Sequence, residues 1–104
     1  MQRGEVRWYP FASPDKKRPV LILTRDSILD SLGEVTVAPV TTTIRDIPSE
    51  VVLTEEDGMS RACAVNLDHV QTVAKGKLGA LITTLPMVRM QEVRAALLFA
   101  LGFR

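Results

Sequence analysis

Apolar and polar positions follow strand spacing through most of the chain and change to helical spacing only near its end. Over residues 4–9, Val6 and Trp8 fall on one side and Glu5 and Arg7 on the other, the period-two pattern of a half-covered strand at a sheet edge. Pro10 stops it. The run Pro19-Val20-Leu21-Ile22-Leu23-Thr24 is continuously apolar and β-branched, as in a central strand buried on both faces. Pro19 fits only at its first position, because it has no N–H for a ladder. Residues 35–43 are also β-rich, but Pro39 interrupts the donor series, so this strand is bulged, bent or at an edge there. Residues 50–54, 62–66, 70–73 and 78–83 read as further short strands. Between them lie a charged turn at 55–58, a break at 67–69 and the turn Lys75-Gly76-Lys77. Residues 26–33 read as one helical turn ended by Gly33 or as a structured loop.

At the end of the chain Met90, Val93, Leu97, Ala100 and Leu101 recur at spacings of three and four, with Arg89, Gln91, Glu92 and Arg94 between them. This predicts an amphipathic helix. Thr83 or Thr84 would cap it, Pro86 would sit in its first turn, and Gly102 lies where a C-cap glycine belongs. Leu98 and Phe99 widen the apolar stripe beyond what one small sheet needs, which points to a second covered surface such as a dimer partner. Several short strands followed by one helix predict a mainly β fold with α: a small SH3-like β-barrel closed by a C-terminal amphipathic helix.

The chain has 104 residues, the length of a single domain spanning 1–104, and 46% hydrophobic residues suffice for a core without staples. Cys63 is alone and cannot form an internal disulfide, and His69 is the only histidine, so neither a zinc site nor any other metal or cofactor is expected. The first residues lack the apolar stretch of a signal peptide, and Arg89, Glu92 and Arg94 interrupt the longest apolar run. A cytoplasmic protein with no membrane segment is therefore expected. Net charge is +1, which argues against gripping nucleic acid by bulk charge, but the charges segregate: residues 1–25 sum to +4, 26–72 to −7 and 73–104 to +4. Either the signs merely cluster on a solvated surface, or the two basic ends meet and form one cationic face.

Four groups of residues can carry chemistry. Arg18 lies between the basic loop containing Lys16 and Lys17 and the apolar strand that opens at Pro19, which would hold its phosphate-matching guanidinium on a rigid support. Thr41, Thr42 and Thr43 place three hydroxyls at a strand end, although threonine is also simply favoured in strands. Asn66 and Asp68, one residue apart, would face the same side of a strand, unless Asp68 serves instead as an Asx-turn cap. His69 has the chemistry of a general base.

Taken in order, Arg3-Gly4-Glu5-Val6, Arg18-Pro19-Val20-Leu21-Ile22-Leu23, Val37-Ala38-Pro39-Val40-Thr41 and Val65-Asn66-Leu67-Asp68-His69-Val70-Gln71-Thr72-Val73, with the tail Met90 to Leu101, resemble the MazF/PemK toxin family of bacterial toxin–antitoxin pairs over nearly the whole chain. The resemblance implies an SH3-like barrel, a homodimer and sequence-selective, metal-free cleavage of single-stranded RNA. It also implies a cognate antitoxin whose acidic C-terminal segment lies across the cationic groove. Arg18 and Thr41 match the family's catalytic pair, and Lys16, Lys17, Thr42, Thr43 and Asn66 stand where they would hold substrate. Asp68 matches an aspartate that takes part in some members, but Asn66 stands where those members have an arginine. Residues 10–17 lack the loop histidine of some members, and the resemblance gives His69 no role. The base-holding groove would be lined by loops 10–17, 25–33 and 54–60. Trp8, Tyr9 and Phe11 are candidate stacking groups, with Trp8 better suited to the core. Two other readings share the fold class. A CcdB-like gyrase poison would end in Trp-Gly-Ile where this chain has Gly102-Phe103-Arg104, and a non-catalytic SH3-like module would show more than 5% aromatic residues.

Overall fold

The computed structural model describes residues 1–11 and 17–103. Among them are seven strands, β1 (Glu5–Pro10), β2 (Lys17–Ile22), β3 (Glu34–Thr41), β4 (Glu50–Leu53), β5 (Cys63–Asn66), β6 (Gln71–Ala74) and β7 (Leu81–Thr84), and two helices, α1 (Asp26–Leu29) and α2 (Met87–Leu101). All pairings are antiparallel, in the order β4-β5-β3-β2-β1-β7, and β6 pairs with the first half of β3. The result is a curled half-barrel sheet with a C-terminal helix, mainly β with α as the pattern predicts.

β3 is the hub, and its proline explains how. On one side it pairs with β2; on the other it pairs with β6 over Glu34–Val37 and then with β5 over Val40–Thr41. Pro39 sits at the exchange of partners, where a missing donor breaks no ladder bond. The strand is therefore central, and the expected bend falls at the change of neighbour. β1 is not the edge strand its alternation suggests, for it lies between β2 and β7. Its polar side is drawn in with it: Glu5 is buried and paired with Arg7 Nε at 2.8 Å. β2 begins two residues earlier than the apolar run, which leaves Pro19 inside the strand.

Val20, Leu21 and Ile22 are fully buried because both faces of the central sheet are covered. One face carries Val6, Leu21, Ala38, Val40, Val51, Leu53 and Val65 under α2, whose Val93 and Ala96 are buried and whose Met90, Leu97 and Ala100 pack beside them. The other carries Tyr9, Val20, Ile22, Val35, Val37 and Val73 beneath Leu29 of α1, with Phe11 and Leu78 packed alongside. This second core covers only the β1–β2–β3–β6 part of its face. Where the sheet continues into β5 and β4, the same face carries Ala64, Asn66, Val52 and Glu50.

α2 starts without a threonine cap. Pro86 holds the N-cap position, and its carbonyl accepts from the N–H groups of Arg89 and Met90. Thr83 Oγ1 instead donates to the Asp57 carbonyl, and Thr84 belongs to β7. Gly102 ends the helix at φ 81°, as expected of a C-cap glycine. Met87, Val88, Phe99, Leu101 and Phe103 are more than half exposed, so the apolar surface of this helix exceeds what its own sheet covers. Among the described residues no helix is long and apolar enough to cross a membrane.

Candidate active site

The β2–β3 ladder runs Ile22↔Val37, Leu21↔Ala38 and Val20↔Pro39 and then stops. The bond from Leu23 N–H to the Thr36 carbonyl at 2.9 Å sets its phase, so the next hydrogen-bonding position falls to Pro19 opposite Val40. Pro19 has no N–H to give. The strands are thus released from each other just where the same register brings Arg18 level with Thr41. Alternation along β2 and β3 puts Arg18 with Val20 and Ile22, and Thr41 with Val35 and Val37, so both lie on the face of the smaller core. Arg18 is exposed at its outer margin, and its cross-strand neighbour in β1 is the buried Tyr9.

Thr41 is half-buried, and its Oγ1 accepts the Thr43 N–H at 3.1 Å. With that acceptor position filled, the hydroxyl proton is free to donate outward. Thr42 and Thr43 lie beyond the strand end and are exposed, so of the three hydroxyls only Thr41 is held in a ladder. Lys17 is exposed at the first position of β2 across from Pro10. Lys16 lies outside the described residues.

β5 continues this face. Thr41 pairs with Ala64, and two residues on, Asn66 pairs with Glu50, so Asn66 faces the same way as Thr41, about 7 Å further along the strand. The sequence expectation that Asn66 and Asp68 share one side of a strand fails, because β5 ends at Asn66 and a 3-10 turn runs from Leu67 to His69. Asn66 is itself the Asx-turn residue: its Oδ1 accepts the Asp68 N–H at 2.9 Å. Asp68 is exposed, and its Oδ2 accepts from Ser49 Oγ at 2.6 Å. Ser49 is buried, and its carbonyl also takes the Leu67 N–H. Glu50 Oε1 accepts the Arg45 N–H at 3.0 Å, which ties the segment after Thr41 back to β4. Sequence reasoning missed Ser49 and Glu50, because their partners lie on other elements and no local motif marks them.

Among the described residues two arginines are held in ion pairs, and Arg18 is not one of them. Arg7 is paired with Glu5, and Arg89 with Asp57 and Glu92, whereas among the described residues Arg18 has no carboxylate within ion-pair distance. The chain ends do meet, through the pairing of β1 with β7, but ion pairs neutralise part of their charge. The Arg89 guanidinium holds the Asp57 carboxyl below the usual range, and Asp57 in turn raises Arg89. Burial pushes the Cys63 thiol up, as suits a core position rather than a nucleophile.

Three clefts among the described residues are lined by neither Arg18 nor Thr41. One cleft of about 720 Å³ is lined by Arg3, Leu23, Arg25 and Thr36, and one of about 610 Å³ runs beside α2 past Arg3 and Arg94. A third, of about 300 Å³, lies between Trp8, Pro19, Met59 and Leu81. Trp8 is 38% exposed there, so it is not the core filler the sequence suggests, and it points to the face opposite Arg18. The 54–60 turn belongs to that opposite face too, fastened to β7 and α2 through Thr83 and Arg89. Tyr9 and Phe11 stack edge to face at 4.9 Å on the Arg18 side. Arg18 is exposed and Thr41 half-buried, so a chain laid across this margin can reach both.

A half-barrel of this topology, with its helix laid across one side, has the fold of solved toxin structures and defines the class: the toxin component of a type II toxin–antitoxin system. The chain belongs to the PemK-like, MazF-like toxin family, whose model matches residues 2–101. It is 43% identical over 96 residues to probable endoribonuclease MazF5 of Mycobacterium tuberculosis, covering 91% of this chain and 87% of that protein. Toxin MazF-mt6 of Mycobacterium tuberculosis superposes with a TM-score of 0.86 at 34% identity, over 94% of this chain and 96% of that one. A mycobacterial endoribonuclease solved in complex with its cognate antitoxin superposes with a TM-score of 0.89 at 27% identity, over 100% of this chain and 97% of that one.

Proposed function

We propose that this chain is a sequence-selective endoribonuclease that cuts single-stranded RNA without a metal, leaving 2′,3′-cyclic phosphate and 5′-hydroxyl ends. The observation that supports the reading is the β2–β3 register, which, carried two positions past its last pair Val20↔Pro39, falls on Arg18 and Thr41 on one face. The substrate supplies its own nucleophile. The ribose 2′-oxygen forms a bond to phosphorus as the bond to the 5′-oxygen breaks; the 2′ proton leaves to a base and the departing oxygen gains one. Arg18 neutralises the charge that builds on the phosphoryl oxygens, and the free Thr41 proton gives them a further hydrogen bond. Asp68, with one oxygen held by Ser49, offers its other oxygen to the ribose hydroxyl. Lys16, Lys17, Thr42 and Thr43 hold the flanking phosphates and bases, and Asn66 acts through the turn that it caps.

The named relatives support the reading, since several are endoribonucleases and one neighbour was solved with its antitoxin. In the same reading the chain acts as a homodimer in the bacterial cytoplasm. A cognate antitoxin blocks it by laying an acidic segment over the Arg18 face. Incubation with mixed-sequence single-stranded RNA in excess EDTA, with the new ends identified by mass spectrometry, tests it. Cyclic phosphate ends are expected, and RNA left intact, or cut only when a divalent ion is restored, would refute the mechanism.

A further inference from the structure

The one imidazole of the chain stands beside this face, and its hydrogen bonding fixes what it can do. Asn66 is 6% exposed and faces the same way as Thr41. Its amide fits one way round only: the Asp68 N–H, 2.9 Å away, needs an acceptor, so that end is Oδ1. The other end, Nδ2, is a donor, and it meets His69 Nδ1 at 3.3 Å. Nδ1 must therefore accept, and the ring proton resides on Nε2, a tautomer assigned from the network. His69 is exposed, so this N–H is offered to solvent. Nε2 then has no lone pair with which to act as a base, and a proton on Nδ1 would point at the Asn66 amide protons. In this tautomer the ring is a one-sided donor. It is carried on a three-residue turn braced by Asn66 at its start and by Ser49 on Asp68 and on the Leu67 N–H.

Resting on the endoribonuclease reading, we propose that His69 is a specificity-determining residue: its Nε2–H donates to an acceptor on the edge of a nucleobase flanking the scissile phosphate, a purine N7 or a base carbonyl. Single-stranded RNA exposes such edges, and a donor whose tautomer and orientation are set in advance discriminates between bases that carry an acceptor there and bases that do not. Asn66, which holds the ring, lies two strand residues along from the cross-strand partner of Thr41, the spacing of a neighbouring nucleotide.

The test uses the full-length chain and its His69→Ala, His69→Gln and Asn66→Asp variants on single-stranded RNA randomised around the cut, with products sequenced. His69→Ala is expected to relax the preference at one flanking position by about 3- to 10-fold, the size of one neutral hydrogen bond. His69→Gln, which keeps a donor, should retain most of that preference. Asn66→Asp still caps the Asp68 N–H but accepts from Nδ1, moving the ring proton, so it should change the base preferred at the same position. Thermal unfolding checks that each variant is folded. An active wild type whose preference survives His69→Ala at every position, or a variant slowed equally on all sequences, overturns this assignment alone. A wild type inert on RNA brings down the endoribonuclease reading and this assignment with it.

Discussion

A guanidinium presents a planar fork of donors, so Arg18 offers a directed set of N–H groups at the strand margin. Its loss should be felt in chemistry and not in folding. Arg18→Ala is expected to reduce RNA cleavage by about 10²- to 10³-fold, the scale of one positioned donor to a developing oxyanion, with an unchanged melting curve because the side chain is exposed. Thr41 makes a sharper case. Thr41→Ser keeps the hydroxyl and should keep most activity, whereas the near-isosteric Thr41→Val removes it and should lose most. Equal rates for the two would show that the hydroxyl does nothing. The strands that carry Arg18 and Thr41 were legible from their β-branched runs, whereas the pairing of the two as catalytic residues came from the family resemblance. The Asn66–Asp68 pair was misread because strand alternation was carried into a 3-10 turn. The brace from Ser49 was invisible, since it joins positions 19 residues apart with no motif between them.

Between elements, the firmest polar joint outside the candidate site fastens the 55–57 turn to α2. Arg89 makes two bonds to Asp57, Nε to Oδ1 at 2.9 Å and the Nη2 to Oδ2 at 3.1 Å, while Asp57 Oδ2 also accepts the Thr54 N–H. The Asp57 side chain is only 8% exposed, so removing its partner strands a buried carboxylate. Arg89→Ala should cost about 2 kcal/mol, roughly 10 °C in Tm for a chain this size. Because the Asp57 pKa is depressed on folding, the stability it contributes is fully present above the unfolded carboxylate value of 3.8. It is lost as pH falls from there through the lower folded value. Melting curves of the wild type and Arg89→Ala should therefore converge on acidification, and a constant gap down to the lowest pH would contradict this account. At the turn's end Gly58 has φ +96°, and a Cβ there would collide with the Thr83 side chain, so the glycine cannot be exchanged freely. The charged turn itself was legible in the sequence, but not its attachment to a helix residue more than thirty positions away.

Across the whole molecule, two apolar layers of unequal extent explain why one sheet face is both core and working surface. The smaller layer covers β1, β2, β3 and β6, and Arg18 and Thr41 lie at its margin. The mainly β architecture with a late helix could be read from periodicity alone, because the switch from period two to spacings of three and four is abrupt near residue 87. The curl of the sheet and the double pairing of β3 could not, since register depends on partners distant in sequence. On either side of its buried strip α2 leaves Phe99 and Leu101 more than half exposed, the apolar area the helix pattern left over. Sedimentation should give twice the chain mass, and Leu101→Glu should yield a folded monomer. A wild type that sediments as a single chain would remove the need for a partner there.

The absent N–H of Pro19 has a cost and a use. Any residue that could donate, Val among them, would let the two central strands fasten one rung further and draw the guanidinium and hydroxyl together into a closed seam. Pro19→Val is therefore expected to melt higher and to cut more slowly: a sturdier molecule that has sealed its own working edge.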